Sequence, residues 1–204
     1  MPTRSYVSEI RDRAAAEKRA RVIQAAVQYL RDENSIAGFS LDAIAKAAEV
    51  TRLTVYNQFG SRRGLLEAAF DDIAMRGNLG RIGDAMAKSD PYEGLDMVIE
   101  IFCSFWGSDP AVARLHDAMV IDPEFAEALL ARNERRRVLI EELLARMTTG
   151  RVTESERRDA VDLIFALTSC AMFRMLAVTR STSAVCALIT DAARAAVARL
   201  ESAT

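Results

Sequence analysis

Apolar residues recur with the period of an α-helix along almost the whole chain. No run of four to eight residues alternates apolar and polar side chains with β-branched enrichment, so no β-strand is predicted. Half of the 204 residues are hydrophobic, which is enough to form a core. Only 9 residues are Gly and 4 are Pro, so few positions interrupt a helix. The sequence therefore predicts an all-α fold of about nine helices.

The first third of the sequence is predicted to form four helices separated by short polar breaks. The predicted ranges are about 15–33, 40–47, 51–58 and 62–77. In the first of these, Arg19 falls on the same side as the apolar residues. Ser40, Thr51 and Ser61 precede the other three helices, and each hydroxyl can accept a hydrogen bond from a backbone N–H of the following turn. We therefore expect these three residues to be N-caps.

The remainder of the chain is predicted to form five longer helices. Their ranges are about 91–107, 110–121, 123–148, 154–179 and 182–202. Pro91, Pro110 and Pro123 fall in first turns, where the missing N–H of proline has no helical partner. The glycine-containing segment 77–83 is predicted to be a hinge or a frayed helix, and the charged run at 132–137 a solvated helix face.

Cysteine usage and hydropathy exclude several classes of protein. Three cysteines are too few and too scattered for a disulfide framework or a structural zinc site, and no metal or cofactor site is predicted. The N-terminal residues carry mixed charges and no apolar stretch, so no secretory signal is expected. The apolar stretch 160–178 carries Asp162 and Arg174 and is predicted to be a buried helix, not a membrane span.

Charge is divided unevenly along the chain. Residues 1–65 contain 11 Lys and Arg against 7 Asp and Glu, whereas residues 66–204 contain 16 against 22. The N-terminal third therefore carries a net charge of +4 and the remainder −6. A basic end on an acidic body favours contact with phosphate at that end.

Residues 40–59 form two predicted short helices joined by about three residues, the shape of a helix-turn-helix. The second helix presents polar side chains on the faces that Val55 and Phe59 do not use, namely Arg52, Thr54, Asn57 and Gln58. Arg can bind a guanine edge, Asn or Gln can pair with adenine, and hydroxyls suit phosphate oxygens. Arg62 and Arg63 add charge beside the free N–H groups of the next helix. A packed helical corner with exposed polar residues fits the same pattern.

The stretch 40–70 resembles the DNA-binding domain of the tetracycline-repressor (TetR) family of bacterial regulators. The matching residues are Ile44, Ala45, Ala48, Val50, Thr51, Arg52, Thr54, Tyr56, Phe59, Ser61, Leu65 and Leu66. The resemblance extends upstream to about Ala16 and includes the Gly38-Phe39-Ser40 entry to the second helix. The rest of the chain is similar to the family only in length and all-helical architecture.

The resemblance implies a role for each matching position. Phosphate contacts are implied for Ser40, Thr51, Tyr56 and Arg62. Groove-facing positions are implied for Arg52, Leu53, Thr54 and Asn57, and Gln58, in place of the frequent His or Tyr, completes the predicted DNA-binding set. The implied core of the small domain consists of Leu41, Ile44, Val50, Val55, Phe59 and Leu65. Glu49 stands at the turn position where Gly is common, and a left-handed backbone there costs a non-Gly residue roughly 1 kcal/mol.

Members of the family bind small molecules in a C-terminal domain, and the resemblance implies the same here. The predicted lining of an apolar pocket consists of Phe102, Phe105, Trp106, Met119, Phe165, Met172 and Phe173, with His116 as a polar anchor. Aromatic residues and Met at helical spacing are also typical of an ordinary core, which is the alternative. The predicted domains are a flexible basic arm over 1–14, a helix-turn-helix domain over 15–60, a connecting helix over 61–77 and an effector-binding and dimerisation domain over 78–204.

The predicted helix over 154–179 is apolar on two sides. A helix of this kind must be covered on two sides, so one side is expected to meet a partner subunit. The predicted homodimer interface consists of Ala160, Ile164, Leu167, Ala171, Leu188, Ala192 and Ala196. Interior helices of a monomer are the alternative.

Together these features predict a homodimeric transcriptional regulator of the bacterial cytoplasm, most simply a repressor. It is expected to bind a double-stranded DNA operator and a small apolar or aromatic effector, and to have no enzymatic activity, cofactor or membrane partner. A helical dimeric ligand-binding or adaptor protein that has lost DNA binding is the alternative. A di-iron enzyme is disfavoured because Ala113, not Glu, stands three residues before the single histidine, His116.

Overall fold

The computed structural model describes residues 4–32, 35–148 and 152–202, and within these ranges the side chains from 11 to 200. The described residues form eleven α-helices and no strand, so the all-α class is confirmed and the predicted number of about nine helices is too low. The helices are α1 (Arg4–Asp32), α2 (Leu41–Ala47), α3 (Arg52–Phe59), α4 (Arg62–Arg76), α5 (Ile82–Met86), α6 (Pro91–Ser108), α7 (Pro110–Ala118), α8 (Pro123–Met147), α9 (Glu154–Leu167), α10 (Cys170–Ala177) and α11 (Thr182–Ser202). Two short 3-10 helices cover Ile36–Gly38 and Leu79–Arg81.

The chain folds into two compact units. The first unit comprises Met1–Ile73 together with Pro110–Ala126, and the second comprises Ala74–Asp109 together with Glu127–Thr204. Residues 110–126 come from the middle of the chain, and their helix α7 packs against α1 in the first unit. These units reflect packing, and the functional domain boundaries drawn from the sequence stay predictions.

The predicted N-caps of the short helices are present. The hydroxyl of Ser40 accepts a hydrogen bond from the backbone N–H of Ala43 at 3.1 Å. Thr51 and Ser61 do the same at the starts of α3 and α4, with N···O distances of 3.1 Å in both cases. Each cap satisfies one of the N–H groups that the first turn of a helix leaves without a partner.

Helix α1 is longer than predicted. It begins at Arg4 and not near residue 15, so residues 4–14, for which a flexible arm is predicted, are helical. Every side chain from 11 to 20 is exposed, so this part of α1 has no apolar stripe that a periodicity argument can detect. Its three consecutive alanines and its Arg, Lys and Glu residues favour a helix through intrinsic propensity instead.

The core of the first unit is built from one apolar stripe of each helix. Its fully buried side chains include Val22 and Leu30 of α1, Ile44 of α2, Val55 of α3, Leu65 of α4 and Leu115 of α7. Three further residues implied as core, Leu41, Val50 and Phe59, are only half-buried. The helices of this unit therefore keep their other faces in solvent.

The turn between α2 and α3 contains the left-handed residue that the sequence predicts. Glu49 has a φ of 55°, which costs a non-glycine residue about 1 kcal/mol. The N–H of Val50 donates to the carbonyl of Ala45 at 3.0 Å, and the N–H of Glu49 donates to Lys46 at 3.3 Å. This pair of bonds is a Schellman motif, and it sets the direction in which the chain enters α3.

The single helix predicted over 154–179 is two helices, α9 and α10, bent by 52°. The hydroxyl of Ser169 caps α10 by accepting from the N–H of Met172 at 3.2 Å. The hydroxyl of Thr168 donates back to the carbonyl of Ile164 at 2.9 Å. These local bonds compete with the helical ladder, so a Thr-Ser pair ends one helix and starts the next.

Two side chains from other helices stabilise the break between α9 and α10. The carbonyl oxygen of Thr168 accepts hydrogen bonds from Trp106 Nε1 at 2.9 Å and from Arg136 Nη1 at 3.1 Å. Because a buried carbonyl without a partner is costly, these donors replace the helical bond that the bend removes.

The segment 77–83, for which its glycines predict a hinge or a frayed helix, is largely helical, and the hinge stays a prediction. It holds a 3-10 turn and the start of α5, and Ala85 of α5 is fully buried. A Cβ at Gly94 of α6 would lie 2.8 Å from the carbonyl oxygen of Ala85. The missing side chain at Gly94 therefore lets α5 pack directly on α6.

The second unit has its own apolar core, formed mainly by α6, α8, α9 and α11. Its fully buried side chains include Ile99 and Phe105 of α6, Ile140 of α8, Ile164 of α9 and Val185 of α11. Among the described helices, none is by itself long and apolar enough to cross a membrane, whereas the bent pair α9 and α10 would be by length and composition alone.

We expect Gly64→Ala to destabilise the first unit. A Cβ at position 64 would lie 2.1 Å from the carbonyl oxygen of Phe59, so the backbone between α3 and α4 would have to move, at the cost of overpacking, about 1–3 kcal/mol. Gly83→Ala is the matched control, because nothing lies within 4 Å of its Cβ and Ala favours the helix. Urea unfolding measures both variants, and a G64A protein as stable as the parent would contradict this close approach.

Candidate functional site

Helix α3 turns its polar side chains toward solvent. Val55 anchors the inner face at 0% exposure, whereas Leu53 and Tyr56 are 65% and 56% exposed. The other predicted DNA contacts of this segment divide into the exposed Thr51, Arg52 and Asn57 and the half-buried Thr54 and Gln58. Because residues three and four apart lie side by side on a helix, the exposed members form one accessible surface.

Two of the three hydroxyls predicted to contact phosphate, those of Ser40 and Thr51, are held in place as helix caps. Thr51 Oγ1 lies 2.9 Å from Thr54 Oγ1 in addition to its bond from the Thr54 N–H. Ser40 is half-buried and caps α2. A hydroxyl that accepts with its oxygen still has a proton to donate, so capping is compatible with a bond to a phosphate oxygen.

Arg52, at the start of α3, has an acidic neighbour. Its Nε lies 3.3 Å from Oδ2 of Asp42 on α2, and the two side chains are 68% and 71% exposed. An ion pair this open to water contributes little to stability. The guanidinium of Arg52 is therefore oriented by Asp42 but available to another acceptor.

The C-terminal end of α3 is held by Arg19 of α1. The Arg19 guanidinium lies 4.5 Å from the centre of the Phe59 ring and donates to the carbonyl of Gln58 at 3.2 Å. This contact agrees with the sequence, which places Arg19 on the apolar side of its helix. The side-chain Oε1 of Gln58 is buried and has no hydrogen-bond partner among the described residues, so Gln58 is less accessible than its neighbours on α3.

Arg62 is engaged within the first unit. Its Nε donates to the carbonyl of Phe39 at 2.9 Å, its Nη2 donates to the carbonyl of Ile36 at 3.3 Å, and its Nη1 lies 3.4 Å from Asp122 Oδ2. These partners use three of the five N–H donors of the guanidinium and hold it inside the first unit, so the structure gives no support to the phosphate contact implied for Arg62. The residue instead ties the entry of α2 to the turn between α7 and α8.

The next arginine is paired as well. Arg63 Nε lies 2.7 Å from Oε1 of Glu67, one turn further along α4, and Arg63 Nη1 lies 4.0 Å from Oε2 of Glu124. The positive charge predicted at the start of α4 is therefore balanced by acidic groups of the same unit.

Six of the eight residues predicted to line a ligand pocket lie in the second unit. There Phe102, Phe105, Trp106 and Phe173 are buried, and Phe165 and Met172 are half-buried. The centre of the Trp106 ring lies 4.9 Å from that of Phe105 and 5.8 Å from that of Phe102. His116 and Met119 belong to the first unit. The structure thus brings Phe102, Phe105 and Trp106 into one cluster and places the predicted polar anchor in the other unit.

One arginine of the charged run at 132–137 is buried, so the prediction of a solvated face is wrong at that position. Arg136 is 3% exposed. It stands seven residues after Leu129 and four before Ile140, both of which are buried, and these spacings put it on the apolar stripe of α8. This spacing from buried apolar residues is the sequence signal that could have predicted the burial of Arg136.

Aromatic rings surround the Arg136 guanidinium. Its Cζ lies 4.5 Å from the ring centre of Phe165, 5.1 Å from that of Phe102 and 5.9 Å from that of Trp106. Arg136 Nη1 donates to Thr168 O at 3.1 Å and Arg136 Nη2 to Phe165 O at 3.4 Å. Burial lowers the pKa of Arg136 to about 10, which leaves the side chain charged at neutral pH.

The predicted dimer contacts are mostly turned into their own subunit. Ala160, Ile164 and Ala196 are buried, Leu167 and Ala192 are half-buried, and only Ala171 and Leu188 are exposed. The large apolar side chains that α9, α10 and α11 expose are Leu163, Met175 and Leu188, joined by Val178 just after α10. The exposed apolar surface therefore includes Leu188 of the predicted stripe and otherwise lies beside that stripe.

The described residues contain no group of three His, Cys, Asp or Glu side chains placed to hold a metal ion. Cys103 and Cys170 are buried. Burial raises the pKa of Cys103 to about 12, which keeps it a protonated thiol of low reactivity.

Two family models together match most of the chain. The model described as bacterial regulatory proteins, tetR family, matches residues 22–69 and includes the whole helix-turn-helix. The model described as tetracyclin repressor-like, C-terminal domain, matches residues 90–203, more than half of the chain.

Individual proteins agree with this result. The chain is 31% identical over 158 residues to the HTH-type transcriptional regulator EthR of Mycolicibacterium smegmatis. The aligned region covers 76% of this chain and 69% of that protein. Its fold is similar to that of a TetR-family transcriptional regulator from Streptomyces coelicolor, with a TM-score of 0.67, 22% identity and coverage of 98% and 97%. It is also similar to LfrR from Mycobacterium smegmatis in complex with proflavine, with a TM-score of 0.57, 24% identity and coverage of 90% and 97%. The chain therefore belongs to the TetR family of bacterial transcriptional regulators.

Proposed function

We propose that this regulator is a cytoplasmic repressor that binds a double-stranded DNA operator as a homodimer and responds to a small apolar or aromatic molecule. The observation that carries the proposal is the outward face of α3. There Arg52, Leu53, Tyr56 and Asn57 are exposed around the fully buried Val55. A short helix anchored on one side and polar on the other is suited to the major groove.

Base reading is assigned to the exposed side chains that lie on one surface of α3. A guanidinium such as Arg52 can donate two hydrogen bonds to a guanine edge, and the amide of Asn57 can pair with adenine. Leu53, at 65% exposure, offers an apolar contact to a thymine methyl group. The pairing with Asp42 supports this role, because it directs Arg52 without burying it.

Phosphate binding is assigned to the hydroxyls of Ser40, Thr51 and Tyr56. Contacts of this kind position a protein on DNA without reading sequence. Arg62 is left out of the set, because its guanidinium already has three partners inside the first unit. Exposed Arg11 and Arg13 of α1 and the net charge of +4 over residues 1–65 add a sequence-independent attraction to DNA.

Dimerisation is assigned to α9 and α11. A groove between these helices is lined by Ala160 and Leu163 on one side and Ala196 and Leu200 on the other, with Asp159 and Arg199 at its edge. Two copies related by a two-fold axis can cover each other's Leu163 and bring opposite charges together. A symmetric pair also places two copies of α3 in successive major grooves, about 34–36 Å apart.

Control by a small molecule is assigned to the second unit. Its aromatic cluster and the match to the family's C-terminal domain support this assignment, and the similar LfrR was crystallised with proflavine, an aromatic molecule. A ligand that prefers one spacing of the two α3 helices shifts the dimer toward that spacing. Its effect on operator affinity cannot exceed its differential affinity for the two states.

Arg52→Ala should weaken binding to an operator selected from random DNA by about 1–3 kcal/mol and relax the preference at one base pair. Fluorescence anisotropy with a set of single-base operator variants measures both effects. Arg135→Ala removes the same charge from an exposed position of α8 and should change neither. Equal weakening against every operator variant would assign Arg52 to phosphate and not to a base.

Tyr56→Phe should weaken operator binding by about 1.5–3 kcal/mol, the value of a hydrogen bond to a charged group, with the base preferences unchanged. Because Tyr56 is 56% exposed, the stability of the free protein should stay the same. Anisotropy and thermal unfolding are the two measurements. Operator affinity equal to that of the parent protein would remove Tyr56 from the contact set.

Leu163→Glu should produce a folded monomer. The residue is 43% exposed in the subunit, so the helix can accept a carboxylate, but a two-fold interface would bury two unpaired charges at a cost of several kcal/mol. Sedimentation velocity gives the oligomeric state, and circular dichroism checks folding. Leu130→Glu, on an exposed face of α8 at 55% exposure, is the control that should remain dimeric. An L163E dimer would move the interface away from α9.

A further inference from the structure

Arg136 carries a buried charge without a counter-ion. Among the described residues it is the one charged side chain that is buried, and its contacts are two backbone carbonyls and three aromatic rings. No described carboxylate forms an ion pair with it. The nearby Glu134 of the same helix lies 3.0 Å from Arg137 and is 60% exposed.

Such an arrangement is costly for the free protein. Moving a charged group out of water costs several kcal/mol unless an opposite charge and well-placed hydrogen bonds offset it. The two carbonyl acceptors, Thr168 and Phe165, supply only partial negative charge, and the second N···O distance is 3.4 Å. The positive charge on the apolar stripe of α8 is therefore only partly compensated.

One edge of the guanidinium is incompletely hydrogen-bonded. Nε of Arg136 is buried and has no hydrogen-bond partner in the described part of the chain. The Nε–H and one Nη2–H point the same way and form the edge that binds a carboxylate with two parallel hydrogen bonds. In the structure this edge holds only the long bond from Nη2 to Phe165, whereas Nη1 binds Thr168 on the other side.

The surroundings of this edge are aromatic. Phe102, Trp106 and Phe165 lie with ring centres 4.5–5.9 Å from Arg136 Cζ. The Phe165 ring also carries a second guanidinium, since Arg137 Cζ lies 4.1 Å from its centre, so the apolar surface for a bound aromatic group comes mainly from Phe102 and Trp106. Phe165 is only half-buried, so this part of the cluster reaches the surface.

From these observations we propose that Arg136 is the recognition group for an acidic effector, a molecule with a carboxylate on an aromatic body. The carboxylate binds the Nε and Nη2 edge and supplies the missing counter-charge, while the body packs among the rings of Phe102, Trp106 and Phe165. The proposal rests on the proposed function, since it names the class of molecule to which the second unit responds.

The site is also linked to the shape of the second unit. Arg136 and Trp106 both hold the carbonyl of Thr168 at the bend between α9 and α10. A carboxylate bound at the Nε and Nη2 edge competes with the carbonyl of Phe165, in the last turn of α9 before the bend, for Nη2. Occupancy of the site therefore changes the support of the bend, which joins the helix of the proposed dimer interface, α9, to α10.

The test uses 4-phenylbutanoate as the probe and its uncharged relative, 4-phenylbutanamide, as the comparison. Trp106 is the single tryptophan of the chain, so its fluorescence reports on the site, and titration calorimetry gives the affinity without DNA. We expect the carboxylate to bind the parent protein at least about tenfold more tightly than the amide. Equal affinity for the two probes, or no binding of the carboxylate, would overturn the proposal.

Arg136→Met should abolish the preference for the carboxylate, and Arg135→Met, at the exposed neighbouring position, should preserve it. Because a buried charge is replaced by an apolar chain of similar length, R136M should unfold at the same temperature as the parent or higher. An R136M protein that is less stable but still prefers the carboxylate would assign Arg136 a structural role alone and overturn the proposal.

Arg136→Lys decides the matter if R136M does not fold. Lysine keeps the charge but lacks the planar pair of donors, so 4-phenylbutanoate should bind R136K at least about tenfold more weakly than the parent. Unchanged affinity would overturn the proposal. Operator binding by the parent protein is measured separately, so a failure of DNA recognition would count against the proposed function and leave the acidic ligand site standing.

Discussion

The outward face of α3 depends on the burial of one side chain, Val55. Helix α3 has eight residues, too few to be stable in water by itself, and it persists because Val55 is sealed in the core of the first unit. Thr51 caps its first turn and Arg19 covers Phe59 in its last turn. With one stripe fixed inward, the helical period turns Arg52 and the residues around it into solvent.

Three arginines show how surroundings decide the role of one residue type. Arg52 is exposed beside a single exposed carboxylate, so its donors are available to DNA. Arg62 bonds to the carbonyls of Ile36 and Phe39 and to the carboxylate of Asp122, so it links the segment before α2 to the turn between α7 and α8. Arg136 is enclosed by aromatic rings with one donor unsatisfied. The same side-chain type is thus accessible at Arg52, links two segments of the first unit at Arg62 and lacks a counter-ion at Arg136.

Short-range chemistry explains the parts of the fold and site that the sequence predicts well. The caps at Ser40 and Thr51 need a hydroxyl within one turn of its donor, and the left-handed turn at Glu49 is implied by the resemblance to a family in which Gly is common there. The longer start of α1 has no apolar stripe and is missed. The bend at Thr168 is missed too, because apolar residues continue with the helical period across it.

By itself the sequence determined most of the helices, the caps of α2, α3 and α4, the helix-turn-helix and the solvent-facing side of α3, because each depends on residues within a few positions of one another. The tertiary structure decided which charges remain free. Arg62 finds acceptors 23, 26 and 60 residues away, and Arg136 finds the Thr168 carbonyl 32 residues away. Bonds between distant segments produce no periodic pattern in a sequence. Only the folded chain therefore shows that Arg62 has hydrogen-bond partners within the first unit and that Arg136 lacks a counter-ion.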